Sequence, residues 1–283
     1  MTSGYYREAS AVRFARYRVR YPSLVARPLA LLARGQIISR ATGFIYENAG
    51  SMHLVSNWHV FFGRDIYTGA AKHSSLAIPD EVEVQFPAKL ISDEREIELH
   101  TGNFPLQSSS EKPLWKMHPK GQEVDVAVLP ININNPNDTT AIAPVNISLP
   151  VNMSNGLRVA NDVFIVGFPE KFPIEMALPI WKRGTIAAEP LLDGEYARKF
   201  FIDVATRPGM SGSPVFYRRN EVIMLDDGTQ ASSLLEAEFV PCGIYSGRID
   251  TSDQFAATIG IVWPLGFIEE IVANGVAGGF VRN

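Results

Sequence analysis

Apolar and polar residues alternate with a period of two along most of this chain. Because successive side chains of a strand point to opposite faces of a sheet, such a period predicts β-strands with one buried face. The segments that alternate in this way or form short apolar runs are 16–21, 41–46, 52–56, 81–86, 125–129, 163–166, 200–204, 213–217, 239–245 and 258–262. Turn-forming residues separate them, and two long gaps, 63–80 and 92–122, are expected to be irregular insertions. Many short strands with few helical stretches predict an all-β barrel or sandwich.

One helix is predicted near the C-terminus. Residues 264–274 begin with a proline, which suits the first turn of a helix, and Leu265, Ile268 and Ile271 then fall on one face. The Asn-Gly pair that ends the segment supplies a stop signal.

The length of the chain and the position of its polar residues predict two domains. The chain has 283 residues, of which 46% are hydrophobic, enough for two packed barrels of about 100 residues or more each. A polar connection rich in Asn and Pro over 132–155 is the predicted boundary. The expected organisation is a basic N-terminal segment (1–28), an N-terminal β-barrel (29–135) and a C-terminal β-barrel with the helix (136–283).

Basic residues are concentrated at the N-terminus. Residues 1–40 hold eight arginines and one acid, for a net charge of +7, whereas the rest of the chain carries −11. The basic segment either docks an anionic partner or packs on the acidic body through ion pairs. The interleaving of its arginines with apolar residues favours the second. Nucleic-acid binding by these arginines and the nearby tyrosines is disfavoured by the acidic body.

The single cysteine, Cys242, excludes an intramolecular disulfide and is expected to be a small buried hydrophobe. Secreted proteins commonly rely on disulfides, so a lone thiol favours a reducing compartment or a bacterial protein without disulfides. The early chain has no unbroken apolar run of the ~7–15 residues that a signal peptide needs. Nowhere do about 18 apolar residues run together, so no membrane span is predicted. We therefore expect a cytoplasmic protein.

The strongest chemical signal is a serine between glycines. Ser211 lies in the sequence Gly209-Met210-Ser211-Gly212, and an apolar strand follows. Glycine lets the backbone turn sharply and approach a substrate closely, so the serine can stand clear of the sheet. The backbone N–H groups of Gly209 and Ser211 can then point at one spot and form an oxyanion hole, which stabilises the charge that develops during attack on a carbonyl. The same residues are also typical of a plain tight turn between strands.

Two further residues suit a nucleophilic mechanism. His59 ends an apolar strand, and a histidine is the base that removes a serine's proton at neutral pH. Asp125 stands at the head of another apolar strand, where a charge is costly unless it is partnered. Its carboxylate can hold an imidazole in one tautomer. Taken alone, a histidine in this setting is more often a packing residue, and the aspartate is about as typical of an ordinary strand end.

Together the three residues occur in the order His, Asp, Ser, which differs from the orders of the α/β-hydrolases and of subtilisin. The blocks 56–59 (Ser-Asn-Trp-His), 125–129 (Asp-Val-Ala-Val-Leu) and 209–214 (Gly-Met-Ser-Gly-Ser-Pro) resemble those of the chymotrypsin-like (trypsin-like) serine peptidases. The chain looks closest to the disulfide-free bacterial members. The resemblance implies two packed six-stranded antiparallel β-barrels with the site in the cleft between them. It also implies a serine endopeptidase that needs no metal or organic cofactor.

The resemblance assigns a role to each site residue. Ser211 is the expected nucleophile, His59 the base that takes its proton and passes it to the leaving amine, and Asp125 the carboxylate that orients His59. The N–H groups of Gly209 and Ser211 are the expected oxyanion hole. The expected substrate-binding residues are Ala205, Thr206, Tyr245, Ser246, Gly247 and Gly260. No aspartate stands at the base of this pocket to receive Lys or Arg, so a small or neutral residue before the cleaved bond is expected.

Met210 precedes the nucleophile, where secreted digestive members of the family carry an aspartate that receives the freed N-terminus. The N-terminal ion-pair switch is therefore expected to be absent, and control is expected to come from a protein partner. The expected partners are thus a protein or peptide substrate and a regulatory protein. The alternative is a catalytically silent module of the same fold that binds a peptide or protein, and the intact set of three residues argues against it.

Overall fold

A computed structural model of the chain describes residues 2–3, 5–13, 19–91, 96–133, 145, 157–171, 178–190, 199–224, 230–249 and 259–281. Strands dominate these ranges, as the period of two predicts. They form one sheet in the first half of the chain and one closed barrel in the second. In these ranges no helix has both the length and the apolar character that crossing a bilayer takes.

The first sheet has ten strands within the described residues. They are Thr2–Ser3 (β1), Tyr5–Arg13 (β2), Ala26–Ala33 (β3), Gln36–Asn48 (β4), Ser51–Ser56 (β5), Glu81–Ile91 (β6), Glu96–Pro105 (β7), Lys116–Met117 (β8), Ala127–Asn132 (β9) and, from the C-terminus, Val276–Ala277 (β16). The order across the sheet is β16-β8-β9-β5-β4-β3-β6-β7-β2, with β1 pairing in parallel with β9. The sheet is curled into a half-barrel, more open and with more strands than the six expected.

The second half closes into a six-stranded barrel. Its strands are Asp162–Gly167 (β10), Ile180–Ile186 (β11), Phe200–Asp203 (β12), Pro214–Met224 (β13), Gln230–Arg248 (β14) and Ile259–Pro264 (β15). They close in the order β10-β11-β12-β15-β14-β13 through antiparallel pairs. The prediction of an all-β, chymotrypsin-like double-barrel fold is therefore confirmed.

Among the residues that the structure describes, three α-helices accompany the strands, Tyr21–Val25 (α1), Trp58–Phe62 (α2) and Gly266–Asn274 (α3), with one 3-10 helix over Gly121–Glu123. The helix predicted near the C-terminus is present, and it starts later than predicted because Pro264 still belongs to β15. The prediction of a strand over 16–21 is wrong at its C-terminal end. Tyr21 begins α1 instead, because Pro22 suits the first turn of a helix. Residues 16–18 lie outside the described residues.

The expectation of an irregular insertion over 92–122 is wrong for residues 96–105 and for the short strand β8. Residues 96–105 form β7, which pairs with β6 in a long hairpin. The acidic run 93–98 is typical of a loop, but Ile97 and Leu99 alternate with glutamates in the period of a strand. The high charge of this run favours a loop, and the prediction of an irregular segment rests on it. Residues 63–80, by contrast, are irregular as expected.

The predicted boundary over 132–155 falls mainly outside the described residues, so the division into domains stays a prediction. One residue of this connection, Val145, pairs with Tyr46 of β4 and donates a backbone hydrogen bond to the Ile45 carbonyl at 2.8 Å. This part of the connection is thus attached to the first sheet.

Apolar side chains form a core inside each half and a third core between them. The barrel core includes Cys242, which is fully buried as predicted. The third core joins Phe44 of the first sheet to Phe216 and Trp263 of the barrel and to Ile268 of α3. Because this core packs the two halves against each other, the loops at their shared edge have fixed relative positions. The candidate site lies there.

Candidate active site

Helix α2 positions His59 at the edge of the first sheet. The helix begins after Asn57, immediately beyond β5, and its apolar residues Trp58 and Phe61 are fully buried. The indole Nε1 of Trp58 donates a hydrogen bond to the Gly279 carbonyl at 2.9 Å, so the C-terminal segment holds the helix on its far side. His59 is therefore presented from a short but firmly packed helix.

Asp125 is a fully buried carboxylate that accepts three hydrogen bonds. Oδ1 accepts from the backbone N–H of His59 at 2.9 Å, and Oδ2 accepts from His59 Nδ1 at 2.7 Å and from Ser246 Oγ at 2.5 Å. The Asp125 carbonyl accepts from Asn57 Nδ2 at 2.8 Å. Burial alone raises the pKa of Asp125, but the charge of His59 and these hydrogen bonds outweigh it and hold the pKa below its ordinary value of 3.8. Because an ionised carboxylate only accepts, His59 Nδ1 carries a proton and Nε2 is free to take one.

The turn that carries Ser211 comes from the barrel. Gly209 and Gly212 have φ angles of 92° and 82°, a region that glycine adopts at little cost. Ser211 Oγ donates a long hydrogen bond of 3.3 Å to the Ser246 carbonyl. The serine, His59 and Asp125 all line one cleft, so the structure brings the three predicted residues together.

Backbone carbonyls of this turn are bonded to neighbouring segments. The Pro208 carbonyl accepts from the Glu170 N–H at 2.9 Å. The carbonyls of Gly209 and Ser211 both accept from Thr42, through its hydroxyl and its N–H respectively, each at 2.9 Å. In a trans peptide the N–H points opposite to the preceding carbonyl, so the Gly209 N–H points away from Glu170. Within the part of the chain that the structure describes, no protein acceptor is bonded to the N–H groups of Gly209 and Ser211.

Sequence reasoning missed Thr42, the residue of the first sheet that holds this turn. Thr42 is fully buried on β4. Its Oγ1 accepts from the Phe168 N–H and donates to the Gly209 carbonyl, both at 2.9 Å, while its own carbonyl accepts from Ser56 Oγ at 2.8 Å. We call these hydrogen bonds, with the one to Ser211, the Thr42 clasp. Its only signal in the sequence is a polar residue within the predicted strand 41–46.

The cleft that holds these side chains has a volume of about 1230 Å³. Its lining residues are His59, Asp65, Ile66, Tyr67, Thr68, Ala70, Lys72, Asp125, Lys199, Phe201, Ser211, Ser246, Gly247, Arg248, Ile249 and Ile261. Two of the predicted substrate-binding residues, Ser246 and Gly247, are among them. The other four, Ala205, Thr206, Tyr245 and Gly260, do not line this cleft.

Three of these four residues contact one another instead. The hydroxyls of Thr206 and Tyr245 share a hydrogen bond, and both side chains are buried. The ring of Tyr245 lies against Gly260, where a Cβ would be only 2.9 Å from the ring carbon Cε2. Ala205 is exposed. The predicted pocket residues therefore surround an aromatic ring of the protein itself.

A double-barrel β fold with a histidine, an aspartate and a serine around the cleft between its halves is the architecture of the chymotrypsin-like serine peptidases. The model of one family, described as the trypsin-like peptidase domain, matches residues 41–224. The chain belongs to this family, and the resemblance inferred from the sequence is confirmed. At the level of the family, the protein is a serine peptidase and its substrates are proteins.

Solved structures of bacterial proteases are similar to this chain. The serine endoprotease from Yersinia pestis shares 14% identity over 91% of this chain and 67% of its own, with a TM-score of 0.49. A protease from M. tuberculosis in its active form shares 16% identity over 92% of this chain and 85% of its own, with a TM-score of 0.46. A comparison with proteins of curated function finds no match.

Proposed function

We propose that the protein is a serine endopeptidase with Ser211 as nucleophile, His59 as general base and Asp125 as the orienting carboxylate. One observation carries the proposal. The buried Asp125 is hydrogen-bonded to His59 Nδ1 at 2.7 Å, and both line the cleft that Ser211 enters. A buried charge is costly unless hydrogen bonds offset it, and the bonds that offset this one also hold His59 in the tautomer that a general base needs.

In the proposed reaction, Ser211 Oγ attacks the carbonyl carbon of the substrate while His59 Nε2 takes the hydroxyl proton. The long bond from Ser211 to the Ser246 carbonyl is exchanged for one to His59. The C–N bond then breaks, and His59 gives its proton to the leaving amine, which leaves an acyl-enzyme. Water attacks the ester as His59 removes its proton, and that proton returns to Ser211 Oγ when the acid is released. Ionised Asp125 stabilises the imidazolium in both halves.

The oxyanion of each tetrahedral intermediate is proposed to bind the N–H groups of Gly209 and Ser211. The anchored carbonyl of Pro208 supports this, because it turns the Gly209 N–H away from Glu170. Donors fixed before the reaction cost no reorganisation when the charge develops, and one such donor is worth about 10²–10³-fold in kcat.

We also propose that the enzyme is competent as folded and that a regulatory partner controls access to the cleft. Met210 is fully buried in the barrel core, so this position offers no counter-charge for an N-terminal amine. The Thr42 clasp and Glu170 hold the turn without such an ion pair. Removing the first ~20 residues, the length of a targeting segment, is thus expected not to switch on activity. A large gain in peptidase rate on trimming alone would show this proposal to be wrong.

Intact-mass analysis after treatment with a fluorophosphonate tests the catalytic proposal. One adduct is expected on the wild type and none on Ser211→Ala. Ser213→Ala is the matched control, since the Ser213 hydroxyl is buried and, among the described residues, has no hydrogen-bond partner. Its removal should leave labelling intact. A folded wild type that forms no adduct, alone and in cell extract, would contradict the proposal and leave the silent binding module.

A further inference from the structure

The side chain of Tyr245 occupies space beside the nucleophile turn. Its backbone is fixed on both sides: the Tyr245 N–H donates to the Ser213 carbonyl at 2.9 Å, and its carbonyl accepts from the Gly212 N–H at 2.8 Å. The next residue, Ser246, is bonded to Asp125. Because these bonds set the direction in which the side chain leaves β14, the ring has little freedom to move aside.

The ring is enclosed by the residues that the sequence predicts as pocket walls. Tyr245 is only 2% exposed, and its hydroxyl is bonded to that of Thr206. On the opposite strand, β15, a Cβ on Gly260 would lie 2.9 Å from the ring and 3.0 Å from Ile202 Cγ1. A glycine is thus required at 260 because the aromatic ring already fills the space next to it. Burial raises the pKa of Tyr245, so the hydroxyl stays neutral at neutral pH.

We propose that Tyr245 closes the pocket for the residue before the cleaved bond and limits that residue to glycine, alanine or serine. The proposal rests on the proposed function, and it names the structural cause of the small residue expected from the sequence. The resemblance implies that the side chain of that residue enters between the segment before Ser211 and β15, and the Tyr245 ring lies there, bonded to Thr206 and against Gly260. A larger side chain meets a buried ring that hydrogen bonds hold in place, and a built-in clash of this kind is an effective way to reject a substrate.

Quenched fluorescent peptides that differ only at the residue before the cleaved bond test this inference. For the wild type, kcat/KM is expected to be about 100-fold higher with alanine than with leucine or phenylalanine. Tyr245→Val removes the ring and is expected to lower this ratio at least about tenfold, mainly by raising the rates with the large residues. Tyr245→Phe is the matched control, because it keeps the ring and loses only the hydroxyl. It should keep the preference of the wild type.

Fluorophosphonate titration before each assay separates this inference from the proposed function, because the probe reacts at Ser211 without filling the pocket. Failure of the folded wild type to label overturns the proposed function. If Tyr245→Val is labelled by the fluorophosphonate but keeps the wild-type ratio of kcat/KM for alanine against leucine, the proposed role of the ring is wrong. A wild type that favours glutamine or glutamate, with the preference lost in Tyr245→Phe, also overturns it and shows that the hydroxyl pair binds a polar side chain. If Tyr245→Val does not fold, Tyr245→Leu removes the ring but leaves a larger side chain in the pocket. It is tested by the same ratio of kcat/KM for alanine against leucine or phenylalanine.

Discussion

Replacing Thr42 with valine is a direct test of the Thr42 clasp. Valine keeps the branched side chain but has no hydroxyl. The change removes the hydrogen bond donated to the Gly209 carbonyl and the one accepted from the Phe168 N–H, both 2.9 Å long. The backbone bond from the Thr42 N–H to the Ser211 carbonyl is left in place. The perturbation is therefore confined to the Gly209 carbonyl and the Phe168 N–H, which lose their partner.

The expected magnitude follows from the burial of the two groups that lose a partner. Gly209 is buried, whereas Phe168 is only half-buried, so the Gly209 carbonyl bears most of the cost. A buried acceptor left without a partner costs about 1–3 kcal/mol. The variant turn recovers this cost by rotating the Gly209 carbonyl out of its place, and the cost returns when the N–H donors realign on the oxyanion in the transition state. Since about 1.36 kcal/mol is tenfold in rate, kcat should fall by about 5- to 150-fold.

The assay is a comparison of kcat, KM and thermal stability for the wild type, Thr42→Val and Thr42→Ser. Serine keeps the hydroxyl, so Thr42→Ser should retain most of kcat. KM should change little in either variant, because Thr42 does not line the cleft. The rate of fluorophosphonate labelling should fall with kcat, since that reaction also develops an oxyanion at the turn.

Two results would refute the reasoning. One is a folded Thr42→Val enzyme with kcat within about twofold of the wild type, because an unpartnered Gly209 carbonyl would then cost less than the range for buried groups. The other is an equal loss in Thr42→Ser, which would assign the effect to the packing of the threonine methyl group and not to its hydrogen bonds.

Four further predictions concern other residues of the site and the core. Asp125→Asn should lower kcat about 10⁴-fold, measured with a peptide substrate, because His59 would be held in the wrong tautomer. The pKa of Asp125 is held below 3.8, so its contribution to stability is present at neutral pH and is lost as the pH falls through the folded-state pKa. Acid unfolding curves should therefore be less steep in Asp125→Asn than in the wild type. Cys242 is buried and its pKa is raised by burial, so a thiol reagent should modify it only after unfolding, and rapid modification of the native protein would contradict this. Gly209→Ala should abolish labelling by the fluorophosphonate, since its φ is 92° and a Cβ there would lie 2.4 Å from the Glu170 nitrogen; normal labelling would contradict this.

The residues of the proposed triad could be predicted from the sequence because each carries a local signal. Ser211 lies between glycines, His59 follows the apolar strand β5 closely in α2, and Asp125 comes just before the apolar strand β9. The strands themselves have a period of two that depends only on neighbouring residues. The prediction for β7 is wrong because it also relies on local signals. Its charged residues are typical of a loop, and its alternation is recognised as a strand only from the pairing with β6.

Contacts between distant residues could not be predicted in this way. Thr42 reaches Gly209 across 167 positions, and nothing beside it in the sequence indicates that partner. The position of the Tyr245 ring depends on Gly260 and Thr206, which come from two other segments of the barrel. A pocket residue can be predicted from its place in a pattern, but whether the pocket is open or filled depends on packing that only the folded chain has.

The Thr42 clasp also bears on when the site can be assembled during synthesis of the chain. Thr42 is synthesised early and lies on the first sheet, while Gly209 and Ser211 emerge from the ribosome much later. The turn that carries Ser211 can make the bonds described above only when it lies against Thr42 of the first sheet. A nascent chain therefore has Thr42, His59 and Asp125 before it has Ser211 and the bonds that hold its turn. Under the proposed function, peptidase activity is therefore expected only after the barrel has packed against the first sheet.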